Sequence, residues 1–293
     1  MTKRILVFIG LYLLSYNQIF AQDEELIGFD FTHVGSGKTD NEENISYQKY
    51  DVRFQLPVEL KKRQHYLMHG LSLGKSRIHY GKVIDTKADV NTFHTLSYSI
   101  GYTKLIKNDW FFYGNIGPYV SSNFESGLRK EEIQFTGMLL FYKELGSKKQ
   151  FLLSLGAMYH PGLGLDAPIP FAGIEWKPND KWKLAIGFPE FSVDYNITKS
   201  TILGGNLFMT GDQVTLSKKE SISNSSKRID HLSYTDYGLG FHIKQRLLKN
   251  FELKINSGYT FYRKLKFEKG NKTVVEMEPK DRYFVQVGIS FLM

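Results

Sequence analysis

The last eleven residues, Tyr283–Met293, have the sequence YFVQVGISFLM. Every second residue from the tyrosine onward is aromatic or aliphatic, whereas the residues between them are mixed in size and polarity. Successive side chains of a β-strand point to opposite faces, so this segment predicts a strand with one wholly apolar face. In a membrane barrel that face contacts lipid and the other lines the lumen. A soluble β-sandwich shows the same alternation, so strand number and length must decide between them.

The same alternation recurs in other segments. Apolar residues occupy one face at residues 251–261 and 52–60, and charged residues such as Lys254 and Arg53 occupy the other. Further long strands are predicted at residues 92–106, 110–122, 131–145, 231–247 and 250–266. They exceed the usual strand of about 5–6 residues and reach the roughly 9–11 residues that cross a membrane at a tilt. Strand length therefore favours a membrane barrel over a sandwich.

The predicted connections alternate in length. Short ones fall at residues 107–109, 146–149, 178–180, 198–200 and 248–250, and longer polar ones at residues 35–44, 81–91, 123–130, 160–167, 211–229 and 268–280. A connection near Phe188-Pro189 would be unusually tight. Short periplasmic turns and long external loops are typical of outer-membrane barrels. The sequence predicts an all-β fold, a single closed antiparallel transmembrane β-barrel of about 14 strands, with 12 as the alternative.

The N-terminus has the order of a secretory leader. Lys3 and Arg4 precede a short apolar run at residues 5–14, and a small residue, Ala21, stands at the expected cleavage position. The run is shorter than the roughly 20 residues that span a bilayer as a helix. We predict a signal peptide at residues 1–21 and a barrel at residues 22–293, located in the cell outer membrane after export. An uncleaved N-terminal anchor is the alternative.

Composition excludes several classes of protein. The chain has no cysteine, which excludes a disulfide framework, a cysteine-based zinc site and a lipoprotein anchor. Its formal charge is +8, and loss of Lys3 and Arg4 with the leader lowers it by two to +6. The basic residues are dispersed and do not form a run interleaved with aromatics, so no nucleic-acid surface is predicted. Aromatic residues make up 15% of the chain, a content that suits the girdles of a barrel.

Two groups of side chains are predicted to serve the barrel. Seven basic residues fall on non-apolar strand faces and are lumen-facing candidates: Lys49, Arg53, Lys181, Lys183, Lys244, Arg246 and Lys254. They could favour anions, or they could pair with acidic neighbours such as Asp51, Glu175 and Glu252, which is the preferred interpretation. Three tryptophans beside short turns are predicted interface anchors: Trp110, Trp176 and Trp182.

Motifs for catalysis or cofactor binding are weak. Residues 35–39 (GSGKT) match the end of a phosphate-binding loop, but Thr32 stands where its first glycine is needed, so an exposed loop is expected. The histidines show no paired metal-ligand spacing. His231 and Ser233 would share a strand face, whereas His94 and Ser97 would not, and no nucleophile motif surrounds either serine. No catalytic residue, metal or cofactor is predicted. Pro118, inside a predicted strand, suggests a bulge.

The chain resembles uncharacterised outer-membrane barrel families of Bacteroidota-type bacteria. The resemblance is carried by the leader end at Ala21-Gln22, the segment GIEWKP at residues 173–178 with the following turn NDKW at 179–182, Phe188-Pro189 and the terminal strand. It implies a barrel in outer-membrane lipid and supplies no active-site residues. Tyr283, Phe291 and Met293 form the expected assembly signal for the barrel-assembly machinery, with methionine replacing the usual terminal aromatic residue.

Three functional classes remain open for such a barrel. The leading expectation is a passive pore or transporter for a small or hydrophobic solute, whose identity the sequence does not give. This step from fold to function rests on analogy. The alternatives are a lipid-acting outer-membrane enzyme, with enzymatic activity the less favoured class, and a structural barrel without transport. A soluble periplasmic β-protein is the main rival to the membrane assignment.

Overall fold

The computed structural model describes residues 25–40, 43–60, 65–80, 90–106, 109–160, 167–187, 191–221, 228–270 and 272–293. The predicted leader at residues 1–21 lies outside these ranges. Within them the chain is almost entirely β-structure, with one 3-10 turn at Lys130–Glu132. No helix in the described part of the chain is long and apolar enough to cross a membrane.

The strands follow one another around a single sheet. In chain order they are β1 (Glu25–Lys38), β2 (Asn44–Glu59), β3 (His65–His79), β4 (Thr92–Leu105), β5 (Trp110–Ser122), β6 (Gln134–Leu145), β7 (Phe151–Tyr159), β8 (Ile169–Trp176), β9 (Trp182–Gly187), β10 (Phe191–Asn196), β11 (Thr201–Ser221), β12 (Arg228–Leu248), β13 (Phe251–Lys269), β14 (Lys272–Met277) and β15 (Tyr283–Leu292).

Antiparallel pairing closes this sheet into a barrel. Successive strands pair from β1 to β13, and β15 pairs with both β13 and β1. β14 pairs with the upper part of β13, so β14 and β15 are two segments of one interrupted strand. The fifteen segments thus make a closed barrel of 14 strands, and the predicted fold is confirmed. At the level where all fourteen strands are paired, closure leaves no free edge.

The terminal strand has the two faces that its sequence predicts. Tyr283 and Ile289 are exposed on the outer surface, whereas Phe284 and Leu292 are buried inside. In β2, Phe54 likewise points outward. We call the end with the short turns and the C-terminus the periplasmic end, as in outer-membrane barrels. Near this end and at mid-height the barrel is apolar outside.

The polarity of the two faces reverses towards the extracellular end, where the inside becomes apolar and the outside polar. In β2 the inward residues change from Arg53 and Asp51 to Tyr47 and Ile45, which are fully buried, while the outward residues become polar, as at Gln48. Strands that rise above the bilayer meet water outside, so they must bury apolar side chains inside, as a soluble protein does. The upper barrel is therefore built like a soluble β-structure.

In β13 a bulge produces the same reversal of polarity, by moving the apolar residues from the outward face to the inward face. The pairing of β12 with β13 shifts register between Tyr237 and Gly238, which leaves Phe261 as an extra residue. Phe261 and Tyr262 are consecutively exposed, and the inward positions change from Thr260 below to Arg263 above. An extra residue moves all later side chains to the opposite face, because the strand period is two.

This reversal of polarity explains why three predicted loops are wrong. The segments 35–44, 211–229 and 268–280 were expected to be loops, but β1 continues to Lys38, β11 to Ser221 and β14 forms within the last segment. Their outward-facing residues are polar: Ser36, Lys38 and Glu276 meet water, whereas Thr215 and Ser217 are buried against β5. Their composition therefore resembles that of loops. They are strands because they pair with neighbouring strands that also extend above the membrane.

Pro118 does not form the predicted bulge. β4 and β5 are paired from His94↔Ser122 to Ser97↔Tyr119 and again from Ile100↔Ile116 downward, with the same register on both sides. The ladder is simply interrupted opposite the proline, which cannot donate a hydrogen bond. On its other side Pro118 still lies opposite Phe135 of β6.

The assignment of faces predicts different costs for two neighbouring substitutions. Val287→Arg places a cation on the lipid face near the middle of β15, and we expect it to destabilise the barrel by about 2–4 kcal/mol. Gln286→Arg places the same charge in the lumen and should be mild. Urea unfolding of the barrel in liposomes measures both. Equal effects would show that the faces are assigned wrongly.

Candidate functional site

The upper end of the barrel is narrower than the lower end. β11 pairs with β10 only from Ile202 to Asn206, then continues upward and meets β5 through a parallel bridge between Thr215 and Ser122. This contact bypasses β6–β10. The extracellular end is therefore a smaller ring made of β1–β5 and β11–β14.

A buried carboxylate fixes this bridge. Glu132, in the 3-10 turn between β5 and β6, is fully buried. Its Oε1 accepts hydrogen bonds from the hydroxyls of Ser122 on β5 (2.5 Å) and Ser217 on β11 (3.0 Å), and its Oε2 accepts one from the backbone N–H of Arg129 (2.6 Å). These three hydrogen bonds satisfy a buried polar group that would otherwise be costly to remove from water. Glu132 thus ties β11 to β5.

An apolar core fills the upper ring. Tyr47 of β2 stacks on Tyr234 of β12 with ring centroids 4.5 Å apart, and Phe208 of β11 stacks on Phe284 of β15 at 3.7 Å. These contacts join strands from different parts of the wall. The core consists of Val34, Ile45, Tyr47, Ile78, Val90, Phe93, Phe208, Val214, Leu216, Ile229, Leu232, Tyr234, Leu265, Phe267, Met277 and Phe284.

Arg263 lies beside this core, just above the β13 bulge. Its side chain is fully buried and forms an ion pair with Asp236, Nε to Oδ1, at 3.1 Å. Its Nη2 donates to the Tyr234 hydroxyl at 2.9 Å, and its Nη1 donates to the carbonyls of Gly35 and Lys280 at 3.1 Å. Its Nη2 also donates to the Ile45 carbonyl at 3.4 Å, so each of the five N–H donors of the guanidinium has a partner. One side chain therefore joins β1, β12, β13 and the segment before β15.

The charged wall of the lumen lies below, on β1, β2 and β10–β12. The Lys49 ammonium is 3.0 Å from Asp212 across the barrel and 3.8 Å from Asp51 on its own strand. Arg53 pairs with Glu25 at 2.9 Å and also contacts Asp30.

The remaining basic candidates are distributed as follows. Lys183 lies 2.9 Å from Glu175, and Lys244 lies 3.2 Å from Asp194. Arg246 and Lys254 belong to inward-facing rows of β12 and β13, whereas Lys181 lies in the exposed turn between β8 and β9, outside any strand. Four of these candidates, each on a strand, therefore have a carboxylate beside them: Lys49, Arg53, Lys183 and Lys244. A neighbouring carboxylate weakens the electrostatic attraction of the cation for a passing anion.

The opposite wall, on β5–β9, is mainly apolar apart from the ion pair of Glu175 with Lys183 near its periplasmic end. Met138 and Leu140 of β6 and Phe171 of β8 point into the lumen. Together with parts of β1–β4 they enclose a cavity of about 560 Å³. Its lining is Glu25, Gln55, Pro57, Tyr66, Met68, Thr103, Tyr113, Met138, Leu140, Tyr142, Leu152, Ser154, Phe171, Gly173, Ile174, Glu175, Ala185, Ile186 and Gly187.

The cavity was missed in the sequence, although a signal for it exists. Residues 137–142 read GMLLFY, an apolar run without alternation. Leu139 and Phe141 face lipid, whereas Met138 and Leu140 face the lumen. A strand that is apolar on both faces has apolar surroundings on both sides. In a barrel this pattern indicates a lumen wall suited to an apolar occupant.

The three tryptophans lie beside the periplasmic turns. The Lys143 ammonium lies 5.8 Å from the ring centroid of Trp110. Trp176 stacks on Phe151 with centroids 6.1 Å apart, and Trp182 packs against Tyr195 at 4.8 Å. Both Trp176 and Trp182 are exposed on the outer surface.

The terminal strand joins the same aromatic belt at the base of the barrel. Phe291 packs edge-on against Phe251 with ring centroids 5.1 Å apart. Tyr283 is exposed at the other end of β15, and Met293 follows the last strand residue. Aromatic rings at this level suit the membrane interface.

The two histidine–serine pairs considered for catalysis do not form one site. His94 is exposed on the outer face of β4, and Ser97 lies on the opposite, inward face. Nδ1 of His231 lies 2.7 Å from Oδ1 of Asp230, near the extracellular end of β12. Within the described ranges, no cluster of three or more His, Asp or Glu residues could hold a metal ion.

Arg263 and its neighbour Lys264 form a matched pair for testing the buried network. Arg263→Met leaves Asp236 buried without its cation, so we expect a loss of about 3–5 kcal/mol in the free energy of unfolding. Lys264, which pairs with Glu276 outside the barrel at 2.8 Å, should lose only about 0–1 kcal/mol on change to Met. Urea unfolding in liposomes compares them. Similar losses would contradict the central role of Arg263.

Comparison with known structures places this fold among outer-membrane channels. The chain aligns with the crystal structure of an outer membrane channel from Pseudomonas putida F1 over 95% of this chain and 98% of that one, with 10% identity and a TM-score of 0.50. It aligns with a mutant of TodX, a monoaromatic hydrocarbon channel of P. putida, over 91% and 89% of the two chains, again with 10% identity and a TM-score of 0.50.

At this identity the alignments establish the fold alone. The barrel therefore resembles outer-membrane proteins, which supports placement in that membrane. No curated protein matches the sequence. A family model does match it over residues 17–291, almost the whole described barrel. The chain belongs to the family described as a domain of unknown function, DUF6268.

Proposed function

We propose that this barrel is a passive outer-membrane channel for a small, uncharged, apolar solute. The observation that carries the proposal is the apolar wall of the lumen cavity. Its volume of about 560 Å³ lies within the roughly 300–1,000 Å³ usual for small-molecule sites. Met138, Leu140 and Phe171 supply much of its apolar surface, whereas the carboxylates of Glu25 and Glu175 lie among the polar groups of the lining.

The charges of the lumen argue against an anion pore. Lys49, Arg53, Lys183 and Lys244 each lie within ion-pair distance of a carboxylate. A cation that is already paired attracts a passing anion much less than a free one. The ion pairs of the charged wall therefore have mainly a structural role.

A related fold carries a solute of the same chemical class. TodX is described as a monoaromatic hydrocarbon channel. The likeness is one of fold, so it supports the proposal only by analogy.

Export and assembly complete the proposal. We infer that residues 1–21 direct secretion and are removed after Ala21, and that the barrel-assembly machinery recognises the terminal strand with Tyr283, Phe291 and Met293. The outer membrane of a Bacteroidota-type bacterium is the proposed location. Outer-membrane lipid would then surround the apolar band.

Binding of a fluorescent apolar probe tests the proposal. N-phenyl-1-naphthylamine fluoresces more strongly in apolar surroundings, so its titration into the detergent-purified barrel reports occupancy of the cavity. Leu140→Asn introduces a polar group into the apolar wall and should weaken binding about tenfold, since a buried leucine contributes roughly 1.5–3 kcal/mol.

Ile202→Asn is the matched control. Ile202 is an inward position of β11 opposite Lys244, on the charged wall, and does not line the cavity. Its change to Asn should leave probe binding unaltered. Failure of the unmodified barrel to bind the probe, or equal effects of the two substitutions, would refute the proposed function. A purely structural barrel would give the first of these results.

A further inference from the structure

β9 and β10 end partway up the barrel wall. Each has only six residues, Trp182–Gly187 and Phe191–Asn196, whereas a strand needs roughly 9–11 residues to cross a bilayer at a tilt. Their uppermost pair joins Ile186 and Phe191. Since Trp182 lies beside a periplasmic turn, this hairpin reaches only the middle of the membrane.

The strands on either side rise higher. β11 is paired with β10 up to Asn206, and its edge from Leu207 to Val214 has no strand partner on that side among the described residues. β8 is paired with β9 at Gly173–Trp176, and its upper segment, Ile169–Ala172, likewise lacks a partner there within the described ranges. A gap therefore separates β8 from β11 above the short hairpin.

The gap is bounded above as well as below. The Thr215–Ser122 bridge closes the ring over it, and the Gln134 side-chain amide donates to the Thr215 hydroxyl at 3.3 Å. Among the described residues the opening is therefore a window in the wall, which we define by its lower rim (Ile186, Phe191) and its side rims (Ala172, Met209).

The window spans the outer half of the membrane. Met209 lies opposite Tyr237, whose ring is 5.5 Å from that of Tyr262. Tyr262 is exposed and Tyr237 is half-buried just below the polar upper wall, at the level expected of an interfacial girdle. The window begins below them, at Leu207, and ends above them, at Thr215.

Unpaired backbone at this depth has a physical meaning. Lipid cannot hydrogen-bond free N–H and C=O groups, so non-helical backbone within a membrane is tolerated only where protein covers it or where it lines a water-filled cavity. Pro170, on the unpaired part of β8, has no N–H to satisfy, and prolines are tolerated at such edges. Unpaired edges of the window that no protein covers therefore require a water-filled passage beside them.

The lumen cavity extends to this window. Its lining includes Ile174 and Ile186, both of which are exposed on the outer surface, together with Gly187 at the end of β9. Gly187 pairs with Gly173, and a Cβ added to Gly187 would lie 2.3 Å from the Gly173 Cα. The backbones of β8 and β9 therefore lie in close contact where the cavity meets the lower rim, with no room for a side chain at Gly187.

We propose that the window is a lateral portal through which an apolar solute passes between the outer leaflet and the lumen cavity. This inference rests on the proposed function and specifies its route. The apolar core fills the upper ring, so the axial route from outside is obstructed by packed side chains. The rim is apolar at Ile186, Phe191, Met209 and Ala172, which suits an uncharged hydrocarbon-like molecule.

The test uses the absence of cysteine in the chain. Met209→Cys and Ala172→Cys each place a single thiol on a side rim, and Leu96→Cys places one on the lipid-facing surface of β4, away from the window. Met209 and Leu96 have similar exposure, 38% and 44%. Each variant is produced in intact cells that have an outer membrane. Probe entry into these cells is measured before and after reaction with fluorescein maleimide.

The measured quantity is the initial rate of N-phenyl-1-naphthylamine entry into the cells. We expect labelling at residue 209 or 172 to abolish most of the entry that the barrel adds over cells lacking it, and labelling at residue 96 to change nothing. Each unlabelled variant serves as its own folding control. Unchanged entry after rim labelling would overturn the portal.

Two further results separate this inference from the proposed function. If the purified barrel binds the probe but rim labelling leaves entry unchanged, the channel stands and the lateral route fails. If the barrel neither binds the probe nor raises entry, the proposed function itself fails. Rim thiols that resist maleimide while residue 96 reacts would indicate that another chain covers the β11 edge, which would also overturn the portal.

Discussion

Lipid offers no hydrogen-bond partner to the backbone, and this constraint governs the whole architecture. It requires the strands to close into a ring, and β15 provides closure by pairing with β13 and β1. It also gives significance to the place where pairing is incomplete. β11 leaves β10 at Asn206 and reaches β5 at Thr215, so the barrel is closed twice, once around fourteen strands and once around a smaller ring.

The smaller ring depends on buried polar contacts as well as on the apolar core. Glu132 joins β5 to β11, and Arg263 joins β13 to β1 and β12. Such groups are costly to bury unless fully paired, and each has several partners here. Charged groups with specific partners favour one arrangement of strands, whereas the surrounding apolar core would tolerate several.

The lumen has two walls of different chemistry, and this division carries the functional argument. On β1, β2 and β10–β12, carboxylates and cations neutralise one another, as in the contact of Lys49 with Asp212. On β5–β9, side chains such as Met138 and Leu140 form an apolar surface. An apolar solute gains free energy against the second wall because its surface leaves water. The window lies where this wall ends, between β8 and β11.

The sequence alone determined the barrel, its strand faces and its aromatic belts, because these follow from local alternation, as in Tyr283–Met293. The change in polarity of the faces above the membrane was hidden, since the polar outward positions of β11 beyond residue 210 have the composition of a loop. The β5–β11 bridge, the pairing of Glu132 and the window were decided only by tertiary structure. They join residues far apart in the chain, such as Ser122 and Thr215, and no local pattern encodes which distant strands meet across a closed barrel.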